Sequence, residues 1–219
     1  MGRLMIVNGS PRAPRSNSKQ YAQIFRKFFG GEVCEYEVTK RQHAQACAQA
    51  AGCTDMLLVF PLYADGLPVT LMHFLKQLAQ QEFQAPPTVH MLINCGFLEP
   101  RQNDVACDMV RLFCAQHGFP FGSVLRVGSG EAILTTPFAS LVKRKLKKLA
   151  QAVEGGRPYS GSVTMPLPAW LYVWASAGYW LQYGAKNGLG KEQMAAMQIE
   201  GGAEERPCLT SCPWGRIIK

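Results

Sequence analysis

Short apolar runs alternate with helical patterns along the first 150 or so residues. Residues 3–8 read as a compact strand: Leu4 to Val7 are uniformly apolar, and Asn8, Gly9, Ser10 and Pro11 stop the run abruptly. Over residues 18–29, Tyr21, Ile24, Phe25 and Phe28 fall on one helical face, with Gly30 and Gly31 ending it. Val33 to Val38 predicts a second strand, and residues 41–50 a modest helix rich in Ala and Gln. Asp55 to Phe60 is a third strand whose unbroken run, Met56 to Phe60, is typical of strands buried on both faces. The pattern then repeats. A helix over Leu67–Leu78 carries Leu71, Phe74, Leu75 and Leu78 on one side, and Val89–Ile93 is a strand. A helix follows over Val105–His117, then a strand at Phe121–Val127 and a helix over residues 137–153.

Strand and helix in strict alternation imply a doubly wound parallel sheet, because a parallel pair needs a crossover and the crossover is a helix. Right-handed crossovers leave few topologies, of which a five-stranded α/β sheet in the order 2-1-3-4-5 is the most economical. In such sheets ligands sit beyond the carboxyl ends of the strands, at the switch in strand order. Three loops should therefore meet there: GSPRAPRSNS after the first strand, FPLYADGLP after the third, and NCGFLEPRQN after the fourth. Ser16, Asn17 and Ser18 stand at the start of a helix, where unpaired backbone N–H groups and hydroxyls can converge on an anion. The same serines also read as ordinary helix caps.

At 219 residues, 47% hydrophobic and 17% charged, the chain suits one globular domain with a C-terminal extension. Its net charge of +8 would suit nucleic acid, an anionic membrane or a phosphorylated small molecule. The densest positive run, Lys143, Arg144, Lys145, Lys147 and Lys148, is interleaved with Leu141, Val142, Leu146 and Leu149 at helical spacing. It reads as the wet face of an amphipathic helix, and no nucleic-acid motif accompanies it. The eight cysteines lack the short paired spacings of metal centres, and Leu4–Val7 is far too short for a secretory core, so a reducing cytoplasmic setting with free thiols is expected. Cys208 and Cys212 are close enough in sequence to raise a pairing question. No metal site is expected.

GSPR at Gly9–Arg12 with SNS at Ser16–Ser18, PLYADGLP at Pro61–Pro68 and NCGF at Asn94–Phe97 together resemble the flavodoxin-like NAD(P)H-dependent FMN reductases, relatives of the iron–sulfur flavoproteins. The resemblance spans about residues 1–155. It implies a flavodoxin-like FMN-binding domain in which Ser10, Arg12, Ser16, Asn17 and Ser18 hold the ribityl phosphate, with either Arg12 or Arg15 supplying charge. Pro61, Leu62, Tyr63, Ala64 and Asp65 would wrap one edge of the isoalloxazine, and Asn94, Cys95, Gly96 and Phe97 its pyrimidine side. Tyr63 also reads as a half-buried aromatic at a strand end, and Cys95 more readily as a small buried apolar residue. The compact cysteine cluster of iron–sulfur flavoproteins is missing, since Cys47 and Cys53 stand alone. The basic charge departs from electron-carrier flavodoxins, which are usually acidic.

The activity so implied is hydride transfer from NAD(P)H through FMN to a small acceptor such as a quinone, nitro compound or flavin, with no catalytic side chain assigned. Residues 156–200 are expected to form a helical extension, and 201–219 a loosely held tail. Trp170, Tyr172, Trp174, Tyr179, Trp180 and Tyr183 crowd residues 163–184. That segment is interrupted by Pro166 and Pro168 and is too short to span a bilayer, which takes roughly 20 apolar residues. It would pack on its own domain, form a homodimer contact over the flavin, or lie on a membrane surface. A binding or regulatory module acting through this aromatic surface, or a one-electron carrier, are the alternative functions.

Overall fold

The computed structural model describes residues 2–13 and 15–196. Its described residues divide into two units, the first ending at Pro166 and the second beginning at Leu167.

The first unit is built on one parallel sheet. Strands β1 (Arg3–Asn8), β2 (Glu32–Glu37), β3 (Asp55–Pro61), β4 (Thr88–Asn94), β5 (Phe121–Val127) and β6 (Ser160–Val163) lie in the order β2-β1-β3-β4-β5-β6. The expected order of the first five strands is observed, but the sheet has six strands rather than five. The sixth, SGSV, falls in the stretch expected to be a helical extension. It has no hydrophobic run to announce it, because an edge strand of four residues has little to bury.

Crossover helices cover both faces: α1 (Asn17–Arg26), α2 (His43–Ala50), α3 (Val69–Leu78), α4 (Asp104–His117) and α5 (Ala139–Glu154). Alternate residues of a strand face opposite sides, so Met5, Val7, Met56, Leu58, Phe60, Met91 and Ile93 pack with the buried faces of α2, α3 and α4. Each helix sits where its apolar stripe falls. In α5 Val142, Leu146, Leu149 and Val153 are buried, while Lys143, Arg144, Lys147 and Lys148 are exposed. α1 ends at Arg26, earlier than its following glycines suggest, and α4 closes on Gly118, whose φ of 72° is the left-handed conformation glycine adopts without penalty.

One irregularity coincides with a buried side-chain network. The β4–β5 register shifts between Val89 and Met91. There the buried His90 accepts the Ser123 N–H through Nδ1 at 2.9 Å, and its Nε2 lies 3.0 Å from Asp55 Oδ1. Nδ1 is thus an acceptor and Nε2 carries the proton toward the carboxylate. Gly122 makes room: a Cβ there would come within 2.5 Å of the imidazole ring.

The second unit contains α6 (Ala169–Lys186) and α7 (Lys191–Ala195). Gly184 is the buried residue of α6, and a Cβ on it would run into Met194 of α7. Trp170, Trp174 and Trp180 are 71%, 73% and 50% exposed. None of the described helices is long and apolar enough to cross a membrane. The expected tail at 201–219, with Cys208 and Cys212, lies outside the described residues; the six cysteines within them are free thiols.

Candidate functional site

At the carboxyl ends of β1, β3 and β4 a cleft of about 630 Å³ opens, within the size range of small-molecule and cofactor sites. It brings together Ser10, Arg12, Ser16, Asn17 and Ser18 of the first loop, Pro61, Leu62 and Tyr63 of the second, and Asn94, Cys95 and Gly96 of the third. Arg15 lines it as well. Ala64, Asp65 and Phe97 do not line it; the first two form the tip of a turn, and Phe97 is 52% exposed.

The first loop is shaped by short polar side chains. Asn8 at the end of β1 is buried and accepts the Ser10 N–H at 3.2 Å, and Ser10 Oγ accepts the Arg12 N–H at 3.2 Å. Asn8 Nδ2 is left as a buried donor without a partner among the described residues. Ser16, in extended conformation, caps α1 by accepting the Lys19 N–H at 3.2 Å. That leaves the N–H groups of Asn17 and Ser18, which have no carbonyl one turn behind them, at the positive end of the helix dipole. Lys19 is committed elsewhere: its Nζ bridges Glu35 at 2.9 Å and Glu37 at 3.1 Å, and the hydrogen bond to Glu35 holds its pKa above the usual lysine value despite partial burial. Neither Arg12 nor Arg15 has a carboxylate within 4.0 Å among the described residues.

Asn94 ties the three segments together. At the end of β4 it is buried, and its Nδ2 donates to Ser18 Oγ and to the Phe60 carbonyl, each at 3.1 Å. Its carbonyl accepts the Leu62 N–H at 2.8 Å, carrying the β3–β4 pairing into the second loop. Ser18, read from sequence as a phosphate ligand, is therefore also a partner of Asn94.

The second loop is a tight hairpin in which Tyr63 and Gly66 exchange both backbone hydrogen bonds, at 2.9 and 3.2 Å. Its two central residues, Ala64 and Asp65, have φ of 45° and 55°. This is the type I′ geometry, which favours Gly or Asn over Ala. Ala64→Gly is expected to remove roughly 1–2 kcal/mol of left-handed strain, less about 0.4–1 kcal/mol of unfolded-chain entropy. The net result is a small rise in Tm by calorimetry.

Cys95 is buried, and its Sγ packs 3.8 Å from the Phe97 carbonyl and accepts from Asn103 Nδ2 at 3.4 Å. Burial raises its pKa despite these bonds, so it is a packed thiol rather than a nucleophile. A Cβ on Gly96 would meet the Glu131 side chain at 3.9 Å, an ordinary van der Waals contact.

Glu131, Gln20 and Gln23 also line the cleft and were not among the residues singled out from sequence. Glu131 belongs to the turn after β5, Gly128-Ser129-Gly130, which packs closely beneath the third loop. A Cβ on Gly128 would come 2.7 Å from the Leu98 carbonyl, and one on Gly130 would come 2.8 Å from Asn94 Cβ. The buried Tyr21 hydroxyl donates to the Gly130 carbonyl at 2.8 Å, which pins α1 to this turn and faces Gln20 and Gln23 toward the opening. A Gly-x-Gly directly after a strand was the available signal.

No family model matches the chain, and no curated protein does. Solved structures do. An NAD(P)H:quinone oxidoreductase from Methanothermobacter marburgensis is similar with a TM-score of 0.57 and 10% identity, over 70% of this chain and 96% of that one. A flavodoxin from Streptococcus pneumoniae TIGR4 is similar with a TM-score of 0.54 and 18% identity, over 70% and 99%. An FMN-dependent NADH-azoreductase from Bacillus anthracis, in complex with FMN, is similar with a TM-score of 0.54 and 12% identity, over 70% and 99%. The first unit thus has the flavodoxin-like fold.

Proposed function

We propose that the cleft holds FMN and that the chain is an FMN-dependent oxidoreductase, taking hydride from NAD(P)H and delivering it to a small acceptor such as a quinone, nitro compound or flavin. The observation that carries this reading is the convergence of three separate loops on one cleft, with the start of α1 and two arginines at one side, neither paired with a carboxylate among the described residues. The residues present fit such a group. A phosphate would take the N–H groups of Asn17 and Ser18, the hydroxyls of Ser10 and Ser16, and the charge of Arg12 or Arg15. Gly96 lines the cleft without a side chain, which accords with a flat ring lying against the backbone there. Tyr63, Leu62 and Pro61 would flank the ring edge, with Asn94 and Gly96 on the other side. FMN when bound supplies the hydride-accepting and hydride-donating centre. The protein's part is positioning: a preformed hairpin wall, a helix terminus that fixes the phosphate, and a carboxylate, Glu131, able to accept a hydrogen bond.

The test is direct. Purified protein incubated with FMN and freed of excess is expected to be yellow, absorbing between about 350 and 500 nm, and to oxidise NADH or NADPH in the presence of a quinone. Protein that stays colourless sinks the proposal.

A second reading is favoured by the exposed tryptophans of α6. Trp170, Trp174 and Leu181 lie within one stripe at helical spacing, while Tyr172, Tyr179 and Tyr183 lie on the opposite side. The helix carries a single charged residue, Lys186, so two copies can pair along the stripe without opposing like charges. On this reading the stripe is a homodimer face. Trp170→Ala with Trp174→Ala is expected to halve the mass seen by sedimentation equilibrium, and a wild-type monomer at micromolar concentration would refute it.

A further inference from the structure

We propose that Cys34 and Cys53 form a dithiol site that hydroperoxides convert to an internal disulfide. Cys34 is the third residue of β2, the edge strand of the sheet, opposite Met5 of β1 in the parallel register. Cys53 stands in the turn between α2 and β3. The fold sets the two sulfurs 3.7 Å apart, in van der Waals contact, where a disulfide bond needs about 2.0 Å. Small rotations of the two side chains close that gap, with no strand required to leave the sheet.

Their surroundings divide the labour. Cys34 is partly exposed at the open edge, within reach of a small oxidant. Cys53 is buried, its thiol donating toward the Gln49 carbonyl at 3.5 Å. Burial first, and then the neighbouring Cys34, push its pKa up to about 12, which keeps it a thiol until a partner needs it. Cys47, Cys107 and Cys114 are buried, and none of them contacts another sulfur among the described residues.

The chemistry balances with a hydroperoxide as the oxidant. Cys34 sulfur, having given its proton to solvent, attacks the terminal oxygen of ROOH. The O–O bond breaks, ROH leaves with a proton from solvent, and Cys34 becomes a sulfenic acid. Cys53 sulfur then attacks Cys34 sulfur, the S–O bond breaks, and the hydroxyl departs as water carrying the Cys53 proton. Two thiols and one ROOH give one disulfide, ROH and water, with two electrons passing from sulfur to the peroxide oxygens. The bond would staple the edge strand to the chain entering β3 across residues 35–52. The pair lies toward the amino ends of the strands, apart from the cleft at their carboxyl ends, so the proposal stands or falls independently of FMN.

The experiment uses the full-length protein, reduced, freed of reductant and treated with hydrogen peroxide, with or without FMN. Mass spectrometry is expected to show loss of two hydrogens, and a non-reducing peptide map a Cys34–Cys53 cross-link that dithiothreitol opens. Cys47→Ser should keep the cross-link. Cys53→Ala, which cannot complete it, should yield a dimedone adduct at Cys34. A map joining Cys34 or Cys53 to any other cysteine would overturn the proposal. So would a Cys34 that passes to the sulfinic or sulfonic acid while Cys53 stays reduced, or a pair still reduced when the exposed Met109 has been oxidised.

Discussion

Asn94→Leu is expected to cost roughly 1–3 kcal/mol of stability, because it strands the buried Ser18 hydroxyl and takes the second donor from the Phe60 carbonyl. The substitution keeps the branched outline of the side chain but removes the donor that serves both Ser18 Oγ and the Phe60 carbonyl. Ser18 is itself buried on α1, so water cannot replace its lost partner, while the Phe60 carbonyl in β3 falls back on its ladder bond from the Asn94 backbone N–H. The loss therefore falls on the joint between α1, β3 and β4, and it should appear as a lower midpoint in urea unfolding with an unchanged slope. FMN binding should weaken in parallel, since the start of α1 would no longer be held at the cleft. An unchanged midpoint would mean that these three segments are positioned by apolar packing alone.

The second large effect separates binding from folding. Arg12→Ala combined with Arg15→Ala is expected to lower FMN affinity at least tenfold, at about 1.5 kcal/mol for a charge-assisted contact made by one of them. Stability should hardly change, because both side chains are exposed and neither has a carboxylate partner among the described residues. The single variants then assign the charge, which the sequence left open between them. Titration of FMN followed by quenching of its fluorescence reads the affinity, and equal values for wild type and double variant would remove phosphate from this end of the cleft. Salt should distinguish the contributions further: an exposed guanidinium is screened, while the N–H groups of Asn17 and Ser18 are not.

What could be read from the residues depended on how locally each feature is encoded. β1, β3 and β4 announce themselves because strands buried on both faces must be apolar throughout. The helices do so because one face alone is buried. β6 escaped, being too short and polar to carry a pattern; its place is set by pairing with β5, not by its own side chains. At the site, Ser16 and Asn17 were visible as helix-start chemistry, and Gly96 as a glycine beyond a strand. Ala64 and Asp65 were legible as a turn but not as its apex, since their positive φ values follow from the two-residue spacing between Tyr63 and Gly66. Gln20, Gln23 and Glu131 needed knowledge of which side of α1 faces the turn after β5. That orientation is held by the hydrogen bond from Tyr21 to Gly130, between residues 109 apart in the chain, and no local pattern contains it.

The sixth strand has a consequence for where this chain can be cut. β6 takes up the outer hydrogen-bonding row of β5: Val124 donates to the Tyr159 carbonyl at 2.7 Å, and Gly128 to the Val163 carbonyl at 2.8 Å. A chain terminated after α5 would keep all five crossover helices and all the residues of the cleft, yet leave that row bare beside the apolar Val124, Leu125 and Val127. An unpaired, apolar β-rim of this kind is a template for other chains. Four unremarkable residues, SGSV, thus act as a cover against self-polymerisation, and their value lies in what they prevent rather than in anything they bind.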